Sequence, residues 1–117
     1  MTFVSVFIGG GIGALIRFLI SNFMSVPYGT FLVNIIGSFI IGFAYMFFVD
    51  KADLNPVLKF ALTAGFCGGL TTFSTFSLEI FTMLEGHQFI QAFGYMILSV
   101  IICVIAVSIG AYCAKVF

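Results

Sequence analysis

Two adjacent glycines and five hydroxyl side chains crowd into Gly65-Phe66-Cys67-Gly68-Gly69-Leu70-Thr71-Thr72-Phe73-Ser74-Thr75-Phe76-Ser77-Leu78-Glu79, between long apolar runs. No acid pair, no nucleophile with its base and no phosphate loop accompanies them, so these residues point to ion solvation and the chain is not expected to be an enzyme. From Thr71 onward, helical spacing puts Thr72, Thr75 and Glu79 on one face and Phe73, Phe76 and Ile80 on a second. Thr71, Ser74 and Ser77 share a third. Hydroxyls can donate to an anion, and the positive edge of a phenylalanine ring can face one. The competing reading has the hydroxyls bonding back to carbonyls one turn earlier and the rings packing as core. The double glycine alongside them favours a site.

A glycine-broken segment in lipid is tolerated only where it is buried in protein or lines a polar cavity. Interruption at Gly68-Gly69 is expected, with one half-helix ending near Cys67-Gly68 and the next beginning near Leu70-Thr71. The carbonyls of the first end suit a cation; the N–H groups and positive dipole end of the second suit an anion.

Other polar residues stand out because so few are present. Asn34 is the lone amide of the second apolar segment and must find a partner: a facing helix, water or a ligand. Arg17 sits in the first apolar segment, where it either draws anions into a vestibule or snorkels to the interface. Tyr95 and Ser99 are four apart and can share a pore face, although Tyr95 also suits an interfacial anchor. Cys67, Cys103 and Cys113 form no CxxC pair and read as small buried residues. His87 reads as a solvated turn residue.

The elements that position these groups follow from composition. The chain has 117 residues, 62% hydrophobic and 7% charged, with four basic and four acidic side chains. Soluble domains carry about 25% charged residues. The balance gives no electrostatic case for nucleic acid. At roughly 20 apolar residues per crossing, four spans fit: Phe3–Phe23, Thr30–Val49, Val57–Leu84 and Phe89–Val116. Together they make one domain over residues 1–117. The charged loop Asp50–Pro56 separates the second and third, with Asn55 as an N-cap and Pro56 at the first helical position. Gly9 with Gly13, Gly65 with Gly69, and Ala106, Gly110 and Ala114 recur every four residues, spacing that lets helices approach closely in lipid. Lys51, Lys59 and Lys115 fall on one side and Arg17 toward the other, a bias slight enough to permit both insertion orientations. A chain this small is not expected to enclose a pore alone, so it should oligomerise.

Three stretches, GGGIGALIRF, GTFLVNIIGSFIIGF and GFCGGLTTFSTFSLE, resemble in order and spacing the signature blocks of the fluoride-specific channel family (Fluc, also called CrcB). The resemblance implies an all-α integral membrane protein with four transmembrane helices per subunit, the third broken mid-membrane. It implies an antiparallel, dual-topology homodimer with two fluoride pores, embedded in lipid in a bacterial inner membrane. It further implies a structural Na+ at the dimer centre, held by backbone oxygens matching Gly68 and Thr71. Phe73 and Phe76 match the family's paired phenylalanines, Asn34 its pore asparagine and Arg17 the arginine of the first block. Ser74 and Thr75 fall in its hydroxyl track; Glu79, Tyr95 and Ser99 are weaker pathway candidates.

Two other classes compete. A four-span multidrug or cation exporter needs an intramembrane carboxylate to exchange protons; the first span has none, and Glu79 lies late in the third. A non-transporting accessory subunit would be held by the small-residue seams alone.

Overall fold

The computed structural model describes residues 1–49, 51 and 55–117. Among them the chain is all helical. α1 (Thr2–Phe23) and α2 (Tyr28–Val49) are followed by α3 (Pro56–Phe60), a π-helical turn over Ala61–Cys67, the short α4 (Gly68–Leu70), α5 (Phe73–Glu85) and α6 (Phe89–Val116). Four stretches are long and apolar enough to cross a membrane: Thr2–Phe23, Tyr28–Val49, Pro56–Glu85 and Phe89–Val116.

Local chemistry explains the ends. α2 begins at Tyr28, ahead of Thr30, because the Pro27 carbonyl already accepts the Phe31 N–H at 3.1 Å. At the start of the third span the Asn55 Oδ1 accepts the Val57 N–H at 2.9 Å, and Pro56 takes the first helical position, where its missing N–H costs nothing. The rest of the charged loop, Asp50 and residues 52–54, lies outside the described residues. In the wide turn, the Gly68 N–H reaches the Thr63 carbonyl, five residues back.

Helices pair through glycines. A Cβ on Gly13 would collide with the Phe66 carbonyl oxygen, and one on Gly69 with that of Gly10, so α1 and the third span touch backbone to backbone. Gly42 against Val107 and Gly110 against Phe39 do the same for α2 and α6. Lipid tails are as apolar as leucine, so close van der Waals approach of this kind holds helices together in a bilayer. The small-residue spacing is therefore used inside the chain.

Phe76, Ile80 and Met83 of α5 pack with Ala92 and Tyr95 of α6 in a small core. Most apolar side chains face outward; even in α2 the buried share is only 28%. The bundle measures 52 × 29 × 20 Å. Its shortest dimension is about two helix diameters, so one chain is a slab rather than a tube.

Candidate functional site

α4 stops at Leu70 and α5 starts at Phe73; between them Thr71 (φ −86°, ψ 158°) and Thr72 (φ −152°, ψ 126°) are extended. The interruption therefore falls later than the expected Gly68-Gly69. Both glycines are helical, Gly68 at φ −63°, ψ −37°. Gly69 is needed for its contact with Gly10, while a Cβ on Gly68 would meet open space. The extended backbone is held instead by hydrogen bonds at Thr72. Its N–H donates to Asn34 Oδ1 at 2.9 Å, its carbonyl accepts from Asn34 Nδ2 at 3.3 Å, and its hydroxyl accepts the Thr75 N–H at 3.2 Å as an N-cap. Thr71 and Thr72 thus drop off the helical faces that spacing assigns them.

The carbonyls before the interruption divide into two groups. That of Cys67 accepts both the N–H and the hydroxyl of Thr71, at 3.0 and 2.8 Å. That of Gly69 accepts from Arg17 Nε at 3.0 Å. Arg17 is half-buried, with its Nε turned to the backbone. The carbonyls of Gly68 and Thr71 receive no hydrogen bond among the described residues, because the donor helical register would bring to Gly68, the Thr72 N–H, goes to Asn34.

A second polar cluster lies further along. Glu79 is buried, and each of its oxygens accepts a hydroxyl at 2.7 Å: Oε2 from Thr30 and Oε1 from Tyr95. Tyr95 is therefore an internal donor and not an interfacial anchor. Thr30 is absent from the sequence-based candidates; the signal for it is the spacing of Thr30, Asn34 and Ser38, four apart on one face of α2. The Phe76 ring meets Tyr95 edge-on, with centroids 5.0 Å apart.

A cavity of about 640 Å³ opens beside the interruption, with Asn34, Gly68, Thr71, Phe73, Phe76 and Ser99 among its walls. Phe73 and Phe76 lie 5.7 Å apart; Phe76 is 8% exposed and Phe73, at 77%, stands at the rim. The Ser99 hydroxyl is buried without a hydrogen-bond partner among the described residues. Ser74, Thr75, Arg17, Glu79 and Tyr95 stand outside the lining. Ser74 is exposed and lies 3.3 Å from the Thr72 hydroxyl, whereas Thr75 is half-buried. Tyr95 is thus separated from Ser99, which lines the cavity, by pointing at Glu79. No cluster of three His, Cys, Asp or Glu side chains occurs among the described residues, so a metal here would rely on backbone oxygens.

Four apolar spans enclosing inward-turned polar groups define a small multi-pass integral membrane protein. Residues 4–111 match the family described as CrcB-like protein, Camphor Resistance (CrcB), and the chain belongs to that family. It is similar to a protein of Hahella chejuensis named fluoride-specific ion channel FluC, at 42% identity over 92% of this chain and 89% of that one. Proteins of the same name in Serratia proteamaculans and Methanococcus aeolicus are 46% identical over 82% of this chain and 42% identical over 88%. Those matches cover 80% and 86% of the two relatives.

Proposed function

We propose that this protein is a passive, fluoride-selective channel that lowers cytoplasmic fluoride from the inner membrane of a bacterial cell. The observation that carries this reading is its near full-length likeness to proteins named fluoride-specific ion channels. The physiological logic is weak-acid chemistry. Hydrogen fluoride crosses lipid uncharged and dissociates in a near-neutral cytoplasm, where the anion is trapped until a pore lets it leave down its gradient.

Selectivity over chloride requires a narrow path whose donors replace the strong hydration of a small anion. The cavity offers the Ser99 hydroxyl, the ring edges of Phe73 and Phe76, and the Asn34 N–H not used on Thr72. Glu79 is engaged by two hydroxyls instead of standing free for proton exchange, which argues for a channel over a proton-coupled exporter.

The finer architecture is part of the same proposal. The interruption in the third span lies at mid-membrane depth, and the open face of the slab meets a second, antiparallel copy. The Gly68 and Thr71 carbonyls are hard oxygens without hydrogen-bond donors, a set that fits a hard cation such as Na+. One chain presents two such oxygens and a two-fold related copy supplies two more. Bound sodium would supply positive charge that offsets the negative end of α4.

Purified protein in liposomes should release fluoride without ATP or a proton gradient and release chloride far more slowly. Comparable rates for the two anions would sink the channel reading. A Lys51→Cys probe should label from both sides of one membrane preparation; labelling from a single side refutes the antiparallel pair.

A further inference from the structure

We infer that Arg17 is a positioning residue for the ion path, acting through the ε N–H of its side chain on the Gly69 carbonyl rather than through attraction of anions by its charge. The inference rests on the channel reading above and deepens it. The hydrogen bond is 3.0 Å long and joins residues 52 apart in sequence. In an unbroken helix the Gly69 carbonyl would accept the Phe73 N–H. The extended backbone at Thr71 and Thr72 takes that donor away. An orphan carbonyl at a helix C-terminus carries partial negative charge, and a guanidinium donor complements it.

The approach of the two groups is fixed by the backbones that carry them. Gly13, one turn before Arg17, rests on the Phe66 carbonyl and the Leu70 N–H, and Gly69 rests on Gly10. Arg17 therefore projects from a surface already clamped to α4. On the far side Asn34 of α2 holds Thr72 by its N–H and its carbonyl. The two side chains grip the backbone on either side of Thr71, from two different helices. Thr71 and Phe73, which both line the cavity, are set in direction by that grip. Arg17 is itself outside the cavity lining, as a positioning role requires.

Two substitutions separate donor from charge. Arg17→Gln keeps an N–H donor at the ε position and loses the charge. Arg17→Lys keeps the charge, puts an apolar carbon at that position and carries its N–H donors one bond further out. Fluoride efflux from liposomes is measured over a range of fluoride concentrations for both, beside the unaltered protein. The expected result is that Arg17→Gln stays within about threefold of the unaltered maximal rate and Arg17→Lys falls by about tenfold or more, the scale of one lost hydrogen bond. The half-saturating fluoride concentration should be unchanged in both. The reverse order, equal rates in the two, a shift confined to half-saturation, or an Arg17→Gln protein that fails to assemble overturns the inference. Amide hydrogen exchange at Phe73–Thr75 should rank the variants the same way, faster in Arg17→Lys than in Arg17→Gln, with no transport involved. If the unaltered protein passes no fluoride, the channel reading falls, and the exchange ranking still decides the role of Arg17.

Discussion

Asn34 and Thr72 are paired as neighbouring strands pair: the side-chain amide of one reads both backbone groups of the other, at 2.9 and 3.3 Å. The third span leaves helical geometry where the second span supplies substitute hydrogen bonds. Removing them should therefore be felt in the backbone before it is felt by any ion.

Asn34→Leu illustrates the point. An apolar side chain is welcome in a span, but this one leaves the part-buried N–H and carbonyl of Thr72 unpaired, at no more than about 1–3 kcal/mol for each group. We expect a lower unfolding temperature in detergent as well as suppressed fluoride efflux. Unchanged thermal stability with lost flux would mean that Asn34 serves the anion alone.

The phenylalanines should separate. Phe→Ile keeps an apolar side chain and removes the ring edge. At the rim, Phe73→Ile should slow fluoride efflux and leave stability unchanged. Phe76→Ile should slow efflux and also destabilise by about 1 kcal/mol, because it gives up the edge-to-face pair with Tyr95. Unaltered efflux in both would return the two rings to packing.

Thr30→Val and Tyr95→Phe each strip one donor from the buried Glu79 carboxylate. A hydrogen bond contributes roughly 0.5–1.5 kcal/mol between neutral groups and roughly 1.5–3 kcal/mol to a charged one, so each variant should lower the midpoint of thermal unfolding. In a Glu79→Gln background, which has no charge to solvate, the same substitutions should cost less. Equal costs in both backgrounds would show that the two hydroxyls do not act through the carboxylate.

Gly69→Ala and Gly68→Ala are neighbours with opposite surroundings. The first drives a methyl into the Gly10 carbonyl; the second meets open space within one chain. Gly69→Ala should prevent folding. Gly68→Ala should fold but weaken self-association if, as proposed, a second copy packs against the open space beside it. Size-exclusion chromatography in detergent distinguishes the cases, and an unaffected assembly in Gly68→Ala would remove Gly68 from the interface.

The four spans and the polar character of the third are legible because polar residues are scarce enough here to stand out singly. Where the third span leaves the helix is not legible. Gly68-Gly69 reads as a point of flexibility, yet these glycines are small rather than bent, and the interruption is set by Asn34, 38 residues from Thr72. Thr30 is an ordinary helix hydroxyl until Glu79, 49 residues on, is packed against it. The cavity draws on residues from the second span, the third and the last. Its membership follows from tertiary packing that no local spacing reports, which is why Ser99 enters it while Tyr95, four residues earlier, does not.

The wide turn at Ala61–Cys67 has a consequence for inheritance. A π-helical turn accommodates a residue more than an α-helical one. Removing a single residue there would let the turn tighten to α-helical geometry while the helices on either side kept their facing, because the wide turn is what absorbs the additional residue. Gly69 would stay on Gly10 and Thr72 on Asn34. A one-residue deletion should therefore survive among descendants of the same ancestor in this segment, whereas one further along the third span turns all that follows by about 100° and takes each polar group off its partner.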